Sequence, residues 1–198
     1  MSAAGTPSRA AAAPSDAAGT SSDARPAPAL ARAASAGWRV RRGRPEDAVE
    51  VAAAVAQLLV ELGGTPPEQE SMEASARGLL EDPRAGVVVI AEAEDATLVG
   101  VLAVSLQTAI HAAGRYALIQ DLWVDPVWRS RAIGAALLQE LFALLAASAV
   151  ARVEVGLPKE GFAALEATAA FYRRNGFTAL GPRMRRALAA EPPREARG

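Results

Sequence analysis

The chain has 198 residues, a formal net charge of −1, no cysteine and a single histidine, His111. This length suits one domain with tails, and the near-zero charge indicates no polyanionic partner such as nucleic acid. The composition excludes disulfides, thiolate or His-rich metal sites and a cysteine nucleophile, and it is compatible with a reducing cytoplasm, where we expect the protein. No apolar run reaches the ~20 residues of a membrane span.

The two ends of the chain have the composition of tails. Residues 1–37 are rich in Ala, Ser and Pro and lack periodic large apolar residues, which predicts a disordered tail. A secretory signal is disfavoured by the missing leucine-rich core, and Asp16 and Asp23 count against an organelle transit peptide. With a polar C-terminal tail at residues 189–198, the predicted domain spans residues 38–188.

Apolar periodicity predicts a mixed α/β order, β-α-α-β-β-β-α-β-α-β-β, between these tails. The predicted strands are residues 38–42, 87–91, 98–106, 116–124, 151–157, 177–180 and 184–188. The predicted helices are residues 44–62, 68–80, about 133–145 and 162–174. His111 lies in a predicted loop, so a Ser-His-Asp triad is disfavoured.

The junction between the fourth strand and the third helix has the features of an anion site. Asp125-Pro126 stops the strand, and Arg129 and Arg131 then add positive charge. The first amides of a helix have no intrahelical partner and carry the positive end of the helix dipole. Small residues there, Ser130 and Gly134 among them, predict a phosphate or pyrophosphate site. An ordinary turn with solvated arginines is the alternative.

Two motifs resemble those of one family, the GNAT superfamily of N-acetyltransferases. In the run VDPVWRSRAIGAALL, Arg129, Ala132 and Gly134 occupy the fixed positions of its acetyl-CoA signature, although Ala132 replaces the usual glycine. The segment AFYRRNGF, residues 170–177, is similar to the family's F-Y-x-x-x-G-F motif. The resemblance implies a mixed, mostly antiparallel central sheet flanked by helices, with splayed central strands.

The resemblance also implies acetyl-CoA as the acyl donor, without a metal. By analogy, the backbone of Leu122, Trp123 and Val124 holds the pantetheine arm. For the Trp123 side chain, core packing is the alternative. The pyrophosphate is then held by the amides of Arg129, Ser130, Arg131, Ala132, Ile133, Gly134 and Ala135.

In the family, an amine attacks the thioester directly. Tyr172 matches the family tyrosine that protonates the leaving thiolate, and the alternative is a core aromatic beside Phe171. Several relatives carry a glutamate base where this chain has Gln120, so Asp121 is the nearest carboxylate, either as a base or as a plain strand-edge acid. Other candidate carboxylates are Glu92, Glu154 and Glu160.

The expected acceptor is a small-molecule amine, because the segments that would surround it carry little charge. The main alternative is a non-catalytic acyl-CoA-binding module, which Ala132 and Gln120 favour and Tyr172 disfavours. A nucleotide-binding domain would need a glycine-rich loop that is missing. An exposed strand edge explains the arginines of residues 183–186 more simply than a nucleic-acid site does. Dimers are common among relatives, so a homodimer stays open.

Overall fold

The computed structural model describes residues 37–181, which form a five-stranded sheet with two helices on each face. The strands are β1 (Trp38–Arg42), β2 (Gly86–Ala93), β3 (Leu98–Ala109), β4 (Gly114–Val124) and β5 (Val150–Val155). The helices are α1 (Ala48–Glu61), α2 (Gln69–Glu81), α3 (Ile133–Ala146) and α4 (Leu165–Arg174). The strands lie in chain order, antiparallel from β1 to β4 and parallel between β4 and β5. The predicted mixed, mostly antiparallel sheet is confirmed.

The sheet separates two apolar cores. Strand β2 is buried along its whole length, and its side chains alternate between the faces. Val89 packs into the core beneath α3, whereas Val88 and Ile90 pack into the core beneath α1 and α2. Helix α3 buries one apolar stripe, Ile133, Leu137, Leu138, Leu141 and Leu145. This burial supplies the main stabilisation of the three layers.

A buried polar cluster joins β1, β2 and the start of α1. Arg41 donates hydrogen bonds of 2.8 and 2.7 Å to the two carboxylate oxygens of Asp47 and one of 2.6 Å to Glu92, which also accepts from Arg39. Asp47 and Glu92 are only 6% and 5% exposed. Their pKa values lie below the ordinary range because Arg41 donates to both carboxylates. Glu92, one of the candidate bases, is therefore occupied by ion pairs.

Most predicted boundaries shift by one to four residues, and the larger differences from the prediction follow Val155. Strand β5 ends at Val155, and α4 begins at Leu165 after a turn in which the Leu165 amide donates to the carbonyl of Phe162. The strand predicted at residues 177–180 is wrong, because those residues have irregular backbone. The Phe177 amide donates to the Tyr172 carbonyl at the end of α4 and is not available to a ladder. The strand predicted at 184–188, the whole tail at 189–198 and residues 1–36 of the N-terminal tail lie outside the described residues.

Candidate active site

A β-bulge at Gln120 decides which side chains of β4 face which helices. Asp121 pairs with Ala103 and Ile119 pairs with Val104, so Gln120 is the extra residue on β4. An extra residue reverses the alternation of side chains along a strand. Ile119 therefore packs into the core beneath α3, whereas Asp121 lies on the face covered by α1 and α2.

Strands β4 and β5 part at the level of the bulge. Their pairing runs from Arg115–Val150 to Ile119–Val155, where β5 ends and β4 continues to Val124. The Asp125 amide donates to Val99 on β3, and peptide directions alternate along an antiparallel strand. The peptide groups of Leu122 and Val124 therefore point away from β3, toward an edge that no strand of residues 37–181 covers. That edge can receive an extended chain.

Trp123 lies between Leu122 and Val124, but its peptide group and its side chain point in other directions than theirs. Its backbone points toward β3, and its side chain is buried in the core beneath α1. The indole Nε1 donates a 3.0 Å hydrogen bond to Glu61 at the end of α1. The side chain thus has the contacts of a packing residue, which was the alternative left open for it.

The loop before α3 adopts an uncommon backbone. Ser130 and Ala132 have φ values of 64° and 62°, the left-handed region in which glycine is usual. Ala132, which stands where the signature has glycine, thus adopts a conformation that glycine favours. The first intrahelical bond of α3 joins the Ala136 amide to the Ala132 carbonyl. The amides of residues 133–135 consequently have no acceptor in the described chain, and with the helix dipole they can bind an anion.

The two arginines of this loop differ in their surroundings. Arg131 is exposed, and its guanidinium lies 4.7 Å from the centre of the Trp128 ring. Arg129 instead donates to the Val124 carbonyl at 2.9 Å and to Glu61 at 2.6 Å, so its side chain fastens the loop to β4 and α1. Sequence reasoning missed Glu61, which lies 68 residues before Arg129 in the chain and belongs to no motif.

Gly134 has a packing role in the structure. A Cβ at this position would lie 3.2 Å from Cζ of Phe171, so the missing side chain lets α4 approach the first turn of α3. This contact brings the F-Y segment of α4 to the helix terminus at which the sequence predicts an anion site. The two sequence motifs are therefore neighbours in space.

Tyr172 follows Phe171 and is buried in the core beneath α3, 7% exposed. Its ring packs edge-on against Phe171 and Phe177, with centroid distances of 5.1 and 5.2 Å. Burial raises the pKa of the Tyr172 phenol to about 12. Within residues 37–181 the hydroxyl has no hydrogen-bond partner, and it is not one of the fully enclosed polar atoms that lack one. As far as that part of the chain is concerned, it can donate to a bound molecule.

Asp121 lies on the opposite face, at one end of a cavity between the sheet and helices α1 and α2. Burial raises the pKa of its carboxyl above the ordinary range. Within the described chain the carboxylate forms no ion pair, and its desolvation is uncompensated. The buried phenol of Tyr172 thus lies on one face of the sheet and the partly buried carboxylate of Asp121 on the other. The gap between β4 and β5 lies between these two faces.

Two other candidate carboxylates are less suitably placed. Glu154 on β5 pairs with Arg152 at 3.3 Å, and Glu160 is exposed in the loop after β5. No group of three or more His, Asp or Glu side chains that could hold a metal ion occurs in the part of the chain described by the structure. None of its helices is long and apolar enough to cross a membrane.

Comparison with known proteins assigns the fold. Residues 84–179 match the family model described as an acetyltransferase (GNAT) domain. A protein of Clostridium difficile 630, described as a possible acetyltransferase, superposes with a TM-score of 0.65 at 17% identity, covering 77% of this chain and 99% of that chain. No curated protein matches the chain.

Two further solved structures carry more specific descriptions. A predicted acetyltransferase of Clostridium acetobutylicum, solved with acetyl-CoA, has a TM-score of 0.63 and 16% identity, covering 76% of this chain and 96% of that chain. An aminoglycoside acetyltransferase from an uncultured soil metagenomic sample has a TM-score of 0.62 and 21% identity, covering 77% and 99%. Residues 84–179 thus have the sequence features of a GNAT acetyltransferase domain, and the sheet with its helices has the fold of solved acetyltransferases. The match assigns residues 84–179 to the GNAT superfamily.

Proposed function

We propose that this chain is an N-acetyltransferase that transfers the acetyl group of acetyl-CoA to a primary amine of a small molecule. The observation that carries the proposal is the edge of β4 at Leu122 and Val124, which no strand of residues 37–181 covers and which leads to the amides of residues 133–135. Because the Val124 carbonyl accepts from Arg129, the Leu122 peptide group and the Val124 amide are the groups left on this edge for a ligand. An extended pantetheine arm can pair with a strand edge as an added strand does. Its pyrophosphate then meets the N-terminus of α3, with Ser130 and Arg131 at the loop surface.

The proposed reaction is a direct attack that uses both faces of the sheet. The amine approaches from the side of Asp121, and the thioester reaches it through the gap between β4 and β5. The nitrogen forms a bond to the carbonyl carbon, the C–S bond breaks, and the thiolate takes a proton from Tyr172. Asp121 accepts the proton that the amine loses, directly or through a water.

The physical state of each group supports its proposed role. A phenol whose pKa is raised to about 12 is fully protonated at neutral pH but is a weaker acid than in water. It can protonate the leaving thiolate because the same burial also makes an adjacent thiolate more basic. A desolvated carboxylate with a raised pKa is a stronger base than one in water. Gln120, which replaces the glutamate of several relatives, is turned toward Ser105 by a 2.8 Å hydrogen bond and cannot accept a proton.

A non-catalytic acyl-CoA-binding module is the second candidate. Two observations favour it. The Arg129 side chain already forms an ion pair with Glu61, and Ala132 stands where the signature has glycine. Such a module would bind acetyl-CoA without consuming it, so the two candidates differ in turnover and not in affinity.

The test begins with acetyl-CoA binding to the full chain by calorimetry. Arg131→Glu reverses an exposed charge at the proposed pyrophosphate site and should weaken binding by at least about tenfold. The matched control Arg42→Glu makes the same charge change on exposed β1 and should leave affinity unchanged. If the parent chain does not bind acetyl-CoA, the proposal is wrong. Binding without thiol release for any of a broad panel of amines would favour the non-catalytic module.

A further inference from the structure

The cavity between α1, α2 and the sheet lies on the face of the sheet that carries Asp121. Resting on the proposed function, we propose that the acceptor is a compact apolar primary amine whose nitrogen is held by Asp121 and whose hydrocarbon body fills this cavity. The cavity has a volume of ≈ 240 Å³. Its walls are aliphatic, with Val51, Val55, Met72, Ala76, Leu79 and Val88 among the side chains.

Among residues 37–181, Asp121 is the only charged side chain that lines the cavity. Of the two serines there, Ser75 donates its hydroxyl to the Ser71 carbonyl of its own helix at 2.8 Å. A partly buried carboxylate without an ion pair in residues 37–181 lacks compensation for its lost hydration. An ammonium or amino group supplies that compensation through charge-assisted hydrogen bonds. The charge of the site therefore selects an amine.

The position of Asp121 sets the direction of the bound molecule. Asp121 is on β4, immediately beyond the last β4–β5 pair at Ile119, where the thioester would enter. Val88, at the other side of the cavity, is on β2, two strands away. Neighbouring strands are about 4.8 Å apart, so the cavity extends roughly 10 Å from the reacting nitrogen. The nitrogen thus points to the gap, and the body extends beneath α2.

Size and polarity restrict the body further. An apolar cavity of about 150 Å³ is large enough for benzene. The present cavity therefore suits a branched or linear alkyl group, or one ring on a short chain. A second ammonium, a phosphate or several hydroxyls would be buried against aliphatic walls without partners, which is strongly unfavourable.

The experiment compares amines on the full chain with saturating acetyl-CoA. From propylamine to hexylamine, kcat/KM should rise by about fourfold per methylene, the increment expected for a buried CH₂ group. Hexamethylenediamine matches hexylamine in length but ends in a second ammonium, and its kcat/KM should be about a hundredfold lower. Equal or better use of the diamine would overturn the inference.

Two variants change the cavity in opposite directions. Ala76→Phe fills it and should shift the optimum to shorter amines, whereas Val55→Ala enlarges it and should shift the optimum to longer ones. The matched control Ala74→Phe adds the same ring to the exposed side of α2 and should leave the optimum unchanged. If Val55→Ala folds and leaves the chain-length profile unaltered, the amine does not occupy this cavity.

Hexylamine binding, measured by calorimetry without acetyl-CoA, separates this inference from the proposed function. Binding that Ala76→Phe abolishes and Ala74→Phe retains would support the cavity as an amine site even if acetyl-CoA were not bound. Acetyl transfer to polar amines only, without hexylamine binding, would overturn the inference and leave the acetyltransferase proposal intact.

Discussion

Glu61 and Arg129 form an ion pair with a 2.6 Å hydrogen bond that ties the end of α1 to the loop before α3. The other oxygen of the same carboxylate accepts from the indole of Trp123 on β4. A single side chain thus joins the helix that lines the proposed amine cavity to the loop that would hold the cofactor phosphates. Disturbing it should alter cofactor binding although Glu61 belongs to neither site.

Glu61→Ala should weaken acetyl-CoA binding by about tenfold. Without the ion pair to Arg129, the loop before α3 is less ordered, and ordering it when the cofactor binds costs free energy. Calorimetry on the full chain measures the effect. Glu50→Ala removes an exposed carboxylate near the start of the same helix and is the control. Equal acetyl-CoA affinity in the parent and Glu61→Ala would mean that the loop holds its shape without the ion pair.

Ala132→Gly should stabilise the protein. Ala132 has a φ of 62°, and an L-residue with a Cβ is disfavoured there by roughly 1–2 kcal/mol. Glycine removes that strain but makes the unfolded chain more flexible, so we expect a net gain of about 1 kcal/mol. In a chain of this size, a gain of that order raises Tm by about 2–4 °C.

The control for Ala132→Gly is the same substitution inside a helix. Ala143 is exposed in the middle of α3, where glycine should lower the stability by about 1 kcal/mol. Opposite signs for the two variants in thermal unfolding would establish the left-handed strain at Ala132. A loss of stability in both would contradict it.

Elements that depend on local patterns could be predicted from the sequence, whereas features that depend on contacts between distant segments could not. The stripe of α3 and the buried run of β2 are local patterns, and both elements lie where periodicity predicts them. The bulge at Gln120 depends on how β4 pairs with β3, and it decides that Asp121 faces α1 and α2. No local pattern contains that pairing. The irregular backbone after Gly176 is likewise decided by Phe177, which packs against Tyr172 and Phe142.

Tyr172→Phe should lower kcat by at least about a hundredfold, the usual contribution of a general acid. The affinity for acetyl-CoA and the stability should change little, because the hydroxyl has no hydrogen-bond partner in residues 37–181. Steady-state kinetics, calorimetry and thermal unfolding of the same preparation separate these effects. An unchanged kcat would assign Tyr172 to core packing beside Phe171.

Tyr116→Phe is a matched control for that substitution, since it removes a phenol hydroxyl that has a structural partner. The Tyr116 hydroxyl donates to Gln107 at 2.6 Å, so its loss should lower the stability by about 1 kcal/mol. The kcat should be retained. The two variants are therefore expected to show opposite patterns of stability and turnover.

The acid stability of the protein should depend on Asp47 and Glu92. Arg41 holds the pKa of both carboxyls below their values in the unfolded chain, so the folded state binds these protons less readily. Their stabilising contribution is present above the unfolded pKa values, about 4, and is lost as the pH falls through the folded ones. Burial raises the pKa of Asp121, so its contribution to the free energy of unfolding increases as the pH falls. Urea unfolding from pH 7 to pH 3 should therefore show a steep fall in the free energy of unfolding at acidic pH.

Arg41→Met tests the origin of that fall. Removing the guanidinium leaves two almost fully buried carboxylates without their main partner, which should lower the stability at pH 7 by about 3–5 kcal/mol. The variant should also lose most of the acid dependence, since protonation then relieves an unfavourable charge. Arg42→Met, at the exposed neighbouring position, should retain both the stability and the pH profile of the parent. If the two variants gave the same pH profile, the acid sensitivity would have to come from groups outside this cluster.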